Sequence, residues 1–437
     1  MSHLSPISFL FLLSLSSTGA VTNRPGLTTQ RIDPPARRLL EWAAARGVRT
    51  APGFTLARFG TLDGVCASAP LRAGSTIVAL PRAQTLAVKA AGHHPPAGAS
   101  RAAWEEGAWF ARLAMLLLLE EARGAARALG PYVELLPAQF DTPMHWTEGE
   151  LKELQSDVFV RRVAEDRAKV EAAYAWAAAI APDVGMAPPL RLEHFVWAVE
   201  CVRSRAFSTV ISGDVRVLAG SVLSGAAGLA MLCIDGAVNL LPGGELLPTC
   251  AVAVSGLAAV WQLWYDATSR GLTYVMCPVI DSMNHKSGGV GRPQVPELVY
   301  SSLQDAYLVI SQRDLPAGEQ IYISYGSSKD NDALLMYYGF VERENPAQRV
   351  TVPLGNGDSE SLQLTRSGHL GTHHISVQQC ADICRRELDA LPTTIEFDEQ
   401  LLKTGVLSCR HQMAIEWRLE RKRLLFEFAD AKVAAAA

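Results

Sequence analysis

Two short stretches decide how this sequence is read: Asp281-Ser-Met-Asn-His285 and, further along the chain, Tyr322-Ile-Ser-Tyr325-Gly326. The first follows the apolar run Tyr274–Ile280, which predicts a buried strand that ends in a polar turn. The second follows Ala317-Gly-Glu-Gln320, a turn that opens another strand. Either stretch alone is common in turns and in ordinary packing, but the pair at this separation is hard to obtain by chance.

Composition excludes several classes of protein. The chain has 437 residues, of which 49% are hydrophobic, so it can bury a large core and is not a disordered chain. Lys and Arg number 40 against 44 Asp and Glu, a net charge of −4, so nucleic acid is not expected as the main partner. None of the 8 cysteines forms a C-x-x-C pair or a His/Cys cluster at zinc spacing, so no metal site is predicted.

The N-terminal residues 1–30 have the character of a targeting leader. Ile7–Leu15 is a short apolar block, Ser17–Ala20 offers small residues for cleavage, and no acidic residue occurs before Asp33. The block is too short to span a bilayer comfortably. The sequence therefore predicts a removable leader, either secretory or addressed to an organelle.

The rest of the chain alternates between strand-like and helical patterns. A helix is predicted over Ala36–Arg46, followed by short strands separated by glycine turns. Helical periodicity then dominates from Ala102 to Arg205. Strand patterns return from Tyr274, and helical patterns follow the strand at Arg349–Leu354.

Residues 213–271 form an unusual apolar insert. Leu218–Ile234 and Leu246–Trp264 contain no charge, and each approaches the length that spans a membrane. Both runs are rich in Ala, Gly and Ser, which lowers the drive to insert and lets two helices pack closely. A buried or surface-docked helical hairpin and a membrane hairpin therefore both remain open.

Short segments in a fixed order carry a family resemblance. They are Leu39–Trp42, Gly64–Ala67, Leu71–Gly74, Gly130–Pro137, Ser204–Ser208, Asp281–His285, Tyr325–Gly326 and Tyr337–Phe340. In this order they resemble the SET-domain lysine methyltransferases of the Rubisco large-subunit methyltransferase type. The resemblance implies an α+β fold with a β-rich SET core split by a helical subdomain, and S-adenosylmethionine as the cofactor. It also implies methyl transfer to a lysine nitrogen of a protein substrate.

With this resemblance the chain divides into six parts. They are a targeting leader (1–30), an N-terminal helix with the first SET strands (31–100), a helical SET insert (101–205), the extra apolar hairpin (213–271), the C-terminal SET core (272–345) and a helical substrate-binding domain (346–437). The extra hairpin is a departure from the family, whose chains are short at this point.

The resemblance also assigns site residues. The cofactor-binding set is Asp63, Gly64, Val65, Arg205, Asn284 and His285. Arg205 would meet the carboxylate of the cofactor, for which its planar fork is well suited. Asn284 would bind through its side-chain amide and His285 chiefly through its backbone. The family often has Glu at the position of Asp63, so this sequence departs from the family at that contact.

Tyr325 is the expected catalytic residue, because a phenol at this point can align the acceptor nitrogen. Phe207, Asp281 and Tyr338 are expected to bind substrate, with Phe207 and Tyr338 forming walls of an acceptor channel. Thr209 occupies a position where the family commonly has a basic residue, so that substrate contact is not expected here.

Two alternatives to lysine methylation remain open from the sequence. One is methylation of a histidine ring nitrogen by the same architecture. The other is a non-catalytic SET-like scaffold, held at a membrane by residues 213–271 and binding protein partners. The chain is expected to be a monomer. Its leader and the resemblance favour an organelle, plastid included, over a cytoplasmic or membrane-associated location.

The last predicted helix is strongly basic, with Arg410, Arg418, Arg421, Lys422 and Arg423. Two interpretations stay open for this helix: a solvated basic face, or a surface that docks an acidic protein patch.

Overall fold

A computed structural model describes residues 34–60, 62–90, 95–124, 128–186, 189–210, 272–288, 294–354, 361–366, 368–370 and 376–430. The proposed leader (1–30) and the apolar insert (213–271) lie outside these ranges. Within them, no helix is both long enough and apolar enough to cross a membrane.

The described chain begins with a helix and a group of short strands. Helix α1 (Pro34–Ala45) starts on two prolines, which suit a first turn, and is followed by Gly47 at a φ of 80°. The strands are β1 (Arg49–Thr50), β2 (Phe54–Phe59), β3 (Leu62–Ala67), β4 (Thr76–Pro81) and β5 (Leu86–Lys89). The short strands expected between glycine turns are therefore present, and they divide among three sheets.

A helical subdomain comes next in the chain. Its elements are α2 (Arg101–Glu106), α3 (Trp109–Ala122), α4 (Gly130–Val133), α5 (Glu148–Lys152), α6 (Asp157–Ile180) and α7 (Leu192–Arg205). Helix α5 begins with a capping box, in which Thr147 and Glu150 satisfy each other's backbone amides. Helix α3 is buried along most of its length and packs against α7, which delivers Arg205 to the core.

The second group of strands starts directly after α7. It comprises β6 (Ala206–Val210), β7 (Leu272–Met276), β8 (Asn284–His285), β9 (Glu297–Ser301), β10 (Ala306–Ile310) and β11 (Gln320–Ile323). Helix α8 (Asn331–Tyr338) follows, capped by Asp330 and ended by Gly339 in the left-handed region at a φ of 69°.

The strands of the two groups interleave in three sheets. Their orders are β1-β4-β10-β9, β2-β3-β11-β8 and β5-β7-β6. Each sheet therefore contains strands from both sides of the helical subdomain, which makes this subdomain an insert in one β-rich core. A continuous apolar cluster that includes Val65, Leu80, Phe195, Val275 and Ile280 joins the strands to the helices. The α+β class expected from the sequence matches this architecture.

The C-terminal part opens with the strand expected at Arg349–Leu354, but two strands that the sequence did not predict follow it. The three strands form an antiparallel sheet of β12 (Arg349–Pro353), β13 (Ser361–Thr365) and β14 (Gly368–Leu370). Helices α9 (Val377–Ala390), α10 (Ile395–Thr404) and α11 (Cys409–Ala429) follow. Strands β12 and β13 alternate buried and exposed positions, and their buried face packs on α9 and α11.

The basic helix α11 is neither a solvated face nor a free docking surface. Arg418 and Lys422 are 2% and 1% exposed, and both donate to the buried carboxylate of Asp398. Arg410 pairs with Asp141 and Glu150 of the helical subdomain. Both interpretations of the basic residues are therefore wrong, because the charges hold α11 against its neighbours.

Candidate active site

Strand β11 brings the distant sequence motifs together. It pairs antiparallel with β3, where Ile321 lies opposite Val65, and parallel with β8, where Tyr322 and Ile323 lie opposite Asn284 and His285. Gly64 and Val65 therefore lie one strand away from the Asn-His turn. Tyr325 follows β11 directly, at the end of the sheet where these segments meet.

Arg205 joins the same neighbourhood from the last turn of α7. Its Nη1 donates to the backbone carbonyl of Asp281 at 2.9 Å. The side chain is half-buried, and its Nε is buried without a hydrogen-bond partner among the residues that the structure describes. Burial opposes its positive charge, but Asp281 together with Tyr132, Tyr325 and Cys201 outweighs that effect, so the pKa of Arg205 is raised. A fixed cation with an unused donor is a suitable partner for an anionic ligand group.

Asp281 points into the protein and not into open solvent. It is 6% exposed, and its Oδ2 accepts a short hydrogen bond from the hydroxyl of Tyr132. Burial raises the pKa of Asp281 to about 6, although Arg205 and Tyr132 both favour the ionised form. Burial, followed by the charge of Asp281, also raises the pKa of Tyr132 well above its ordinary value. These contacts make Asp281 part of the internal support of Arg205.

Tyr132 is a member of the site that sequence reasoning did not identify. It lies in α4, which begins at Gly130-Pro131, and it is 2% exposed. The segment Gly130–Pro137 contributed to the family resemblance, but the partner of Tyr132 is 149 positions away in the sequence. No local pattern connects a phenol in the helical subdomain with a carboxylate in the Asn-His turn.

The ring of His285 has a positioning role. Its Nδ1 accepts a hydrogen bond from the backbone N–H of Tyr325 at 3.0 Å, so the ring proton must lie on Nε2. Nε2 faces Ser287 Oγ at 3.3 Å and Glu342 Oε2 at 3.5 Å, and the side chain is 1% exposed. Burial opposes the charge of Glu342, but the hydrogen bonds from His285 and Ser287 lower its pKa. Both nitrogens are thus engaged, and the ring fixes the backbone at Tyr325.

Tyr325 is held at both ends of its side chain. Its hydroxyl donates to the carbonyl of Met283 at 3.0 Å, and its ring stacks on Tyr338 with centroids 4.9 Å apart. Burial raises the pKa of Tyr325 to about 12. The phenol therefore stays protonated near neutral pH, and its oxygen keeps lone pairs that can accept a hydrogen bond from another group.

Gly64 is buried in a polar cluster that it forms with Asp63, Asn284 and Gln320. The side-chain amide of Asn284 donates to the carbonyl of Asp63 at 2.9 Å, which ties β8 to β3. A Cβ added at Gly64 would lie 2.6 Å from Gln320 Nε2 and 2.8 Å from Asn284 Nδ2. Only glycine fits at position 64, because these two side chains lie where a Cβ would stand. The carboxylate of Asp63 is 77% exposed and pairs with Arg58, so Asp63 contributes its carbonyl to this cluster.

A cleft of about 980 Å³ opens beside Tyr325, which forms part of its wall. Aromatic side chains supply much of its wall, among them Trp109, Phe110, Phe207, Tyr274, Tyr325, Tyr337 and Tyr338. Trp109 and Tyr274 stack at 3.9 Å, which extends the aromatic wall away from Tyr325. Asp281, which the sequence led us to expect on the substrate side, is not among the residues that line this cleft.

The described residues thus bring Arg205 and the polar cluster at Gly64 to the same region of the core as the aromatic cleft. The guanidinium of Arg205 suits a ligand with an anionic head. The cleft offers aromatic walls that disfavour a charged amine. Within the described ranges there is no group of three or more His, Cys, Asp or Glu side chains that could hold a metal ion.

Comparison with known sequences finds one family match in the C-terminal part. Residues 363–425 match the family described as Rubisco LSMT substrate-binding. The chain is 21% identical to the fructose-bisphosphate aldolase-lysine N-methyltransferase, chloroplastic, of Arabidopsis thaliana, over 71% of this chain and 65% of that protein. It is 23% identical to the actin-histidine N-methyltransferase of Homo sapiens, over 68% of this chain and 51% of that protein. The chain spans less than two thirds of the length of either relative.

Solved structures show the same fold. The crystal structure of the SET domain of LSMT bound to lysine and AdoHcy superposes with a TM-score of 0.60 at 18% identity, covering 92% of this chain and 91% of that chain. The structure of Rubisco LSMT bound to AdoMet superposes with a TM-score of 0.58, with 91% of both chains covered. At this identity the likeness establishes the fold, and the expected SET architecture is confirmed.

Proposed function

We propose that this chain, a SET-domain protein of the Rubisco large-subunit methyltransferase type, transfers a methyl group from S-adenosylmethionine to the side-chain nitrogen of a lysine in a protein substrate. The observation that carries the proposal is a convergence of distant residues beside the aromatic cleft. They are Gly64, Arg205, Asn284 and Tyr325. Each comes from a different element, so their meeting is a property of the fold.

Arg205 and the polar cluster at Gly64 have the chemistry that this cofactor needs. Arg205 would hold the carboxylate through its free Nε, and the backbone of Asp63, Gly64 and Val65 would lie along the amino-acid head. Asn284 and the backbone of His285 would complete the set at the neighbouring strand. When bound, S-adenosylmethionine supplies a methyl group on a cationic sulfur, which a nucleophile attacks in line.

The residues of the cleft prepare the nucleophile. An acceptor lysine must be neutral, whereas a free lysine has a pKa of about 10.4. Walls formed by Phe207, Tyr325 and Tyr338 exclude water and disfavour the ammonium form. The hydroxyl of Tyr325 donates to Met283, so its oxygen can accept from the amine N–H and orient the nitrogen lone pair. His285 is not a base in this scheme, because both its nitrogens are engaged and its side chain is buried.

Substitution of Tyr325 by Phe tests the proposal. We expect the rate of methyl transfer to fall by roughly 100- to 1000-fold, because one positioned hydroxyl is lost from the reacting centre. Binding of S-adenosylhomocysteine should persist, with a stabilisation of about 2.7 kcal/mol at a ligand concentration one hundred times its dissociation constant. The measurement is transfer of labelled methyl to protein extracts, alongside thermal unfolding with the ligand.

Tyr322→Phe is the matched control. Its hydroxyl donates to Gln320 in the same strand, and Tyr322 does not line the cleft, so this variant should keep its activity. Unchanged turnover in Tyr325→Phe would refute the role of Tyr325. No thermal shift with S-adenosylhomocysteine in the wild type would favour a non-catalytic scaffold over an enzyme.

A histidine acceptor is the second candidate, because a relative named actin-histidine N-methyltransferase is as similar to this chain as the lysine-specific relatives are. A histidine ring needs a wide, flat channel but no deprotonation of an ammonium. Peptides that contain only Lys or only His as the acceptor, assayed with labelled cofactor, separate the two reactions.

The protein partner and the location of the chain belong to the same proposal. Relatives that methylate protein lysines carry the word chloroplastic in their names, which supports a plastid address for this chain. Import into isolated chloroplasts, followed by gel analysis of the processed product, checks this address. A monomeric state and a membrane contact at residues 213–271 stay predictions.

A further inference from the structure

A lysine next to the catalytic tyrosine has no role in the scheme above. Lys329 lies four positions after Tyr325 and lines the same cleft. Its Nζ lies 5.4 Å from the centre of the Tyr338 ring, the ring that stacks on Tyr325. The side chain is half-buried, yet it forms no ion pair with any residue that the structure describes. A partly buried cation without a carboxylate is costly unless a ligand supplies one.

The carboxylates of Asp330, the next residue, and of Asp166 and Glu297, which line the cleft, all have other partners. Glu297 Oε2 accepts from Gln312 Nε2 at 3.4 Å. Asp330 accepts hydrogen bonds from Arg349 Nε at 3.1 Å and from the backbone of Ala333, where it caps α8. Across the cleft, Asp166 pairs with Arg203 at 2.7 Å. Burial lowers the pKa of Lys329, while the charge of Asp330 only partly opposes this change.

The position of the Lys329 side chain is fixed in advance. Its backbone N–H donates to Gly326 at 3.2 Å, and its carbonyl accepts from the Asn345 amide at 3.0 Å. Gly326 has a φ of 140°, and its missing side chain leaves room for the Lys329 stem, whose Cε lies 3.3 Å from the position a Cβ would take. A cation held in one place loses little entropy when it binds a partner.

We propose that Lys329 is a specificity-determining residue that binds a carboxylate of the substrate polypeptide close to the acceptor, so that the enzyme prefers acceptors with an acidic neighbour. This inference rests on the proposed methyltransferase function. The ammonium of Lys329 lies in the aromatic cleft and not among the residues proposed to bind the cofactor. It therefore contacts a substrate residue that flanks the acceptor and takes no part in the transfer itself. An interaction of this kind affects KM and leaves kcat nearly unchanged.

The test uses the full-length chain and pools of short peptides with labelled S-adenosylmethionine. Each pool has a central lysine, or in a parallel series a central histidine, with uncharged random flanks and one flanking position fixed as Asp or as Asn. We expect wild-type protein to prefer Asp over Asn by about tenfold in KM at one or two positions, the size of effect that one charge pair near a protein surface can supply.

Variants of Lys329 identify the residue that reads the charge. Lys329→Met keeps the stem that packs on Gly326 but removes the charge, so it should abolish the Asp preference while turnover of the Asn pools is kept. Lys329→Arg should retain the preference. Lys169→Met is the matched control, because Lys169 lines the same cleft but is exposed, and this variant should behave as wild type.

Each outcome either supports or overturns the proposed role of Lys329. Equal rates on Asp and Asn pools for wild type, or a preference that survives in Lys329→Met, would overturn the role of Lys329 and leave the methyltransferase proposal intact. Absence of transfer to every lysine and histidine pool would overturn the proposed function and this inference with it.

Discussion

The buried carboxylate of Asp281 should leave a distinct mark on the pH dependence of stability. The perturbation is Asp281→Asn, which keeps the size of the side chain but removes its titration. In the folded chain Asp281 is 6% exposed and accepts from the Tyr132 hydroxyl, with Arg205 bonded to its backbone carbonyl. Burial raises its pKa from 3.8 to about 6, against the opposing effects of Arg205 and Tyr132.

The size and sign of the effect follow from this pKa. A rise from 3.8 to about 6 corresponds to roughly 3 kcal/mol. Between these two pH values the folded state binds more protons than the unfolded state, so the wild type loses stability as pH rises. The loss is complete above the folded-state pKa. The free energy of unfolding of Asp281→Asn, relative to wild type, should therefore increase by about 2 kcal/mol between pH 4 and pH 7.

Chemical unfolding of both proteins at several pH values measures this difference. Tyr132→Phe removes the hydrogen bond that favours the ionised carboxylate, so it should move the pH-dependent loss to higher pH. Tyr174→Phe is the matched control. It also removes one phenol hydrogen bond, to the carbonyl of Leu190 at 2.9 Å, but this acceptor does not titrate. A difference between wild type and Asp281→Asn that is constant with pH, or that has the opposite sign, would refute the reasoning.

Two further predictions concern the regions around this centre. Asp398→Ala should destabilise the chain by about 3–5 kcal/mol in chemical unfolding, because it leaves Arg418 and Lys422 buried without their shared carboxylate; a loss under 1 kcal/mol would contradict this. Replacement of residues 211–271 by Asn-Gly should keep the fold and the thermal shift with S-adenosylhomocysteine, because Val210 and Leu272 are already paired as the last residues of an antiparallel hairpin. An unfolded product by circular dichroism would show that the insert is required by the core.

The sequence predicts the strands and turns of the core well, because their signals are local. Gly47 and the prolines at 34 and 35 place α1 within two residues of its observed bounds. The polar turn at Asp281–His285 and the end of the strand before Tyr325 are also visible as polar residues after apolar runs. The family resemblance then predicts that these segments meet, which the pairing of β11 with β3 and β8 satisfies.

Burial of charge is much harder to read from the sequence. The basic pattern of α11 is compatible with a solvated face, and only the position of Asp398 on another helix turns Lys422 inward. Arg418 also reaches Glu153, which is 265 positions away in the chain. The sequence predicts that Asp281 faces the substrate, whereas its carboxylate accepts a hydrogen bond from the Tyr132 hydroxyl inside the protein. In each case the deciding partner is distant in sequence, and hydrophobic periodicity carries no information about it.

Two unfavourable features lie close together in one short stretch at the centre of the site. Val279 is a β-branched residue at a φ of 73°, a conformation that costs roughly 1–3 kcal/mol. Two positions later Asp281 is a buried acid whose ionised form is disfavoured. Both side chains are enclosed by the core, which prevents either from relaxing. Because packing elsewhere supports this conformation, the turn holds the carbonyls of Asp281 and Met283 in place. These carbonyls accept from Arg205 and from the Tyr325 hydroxyl, so the turn orients both the cation and the phenol.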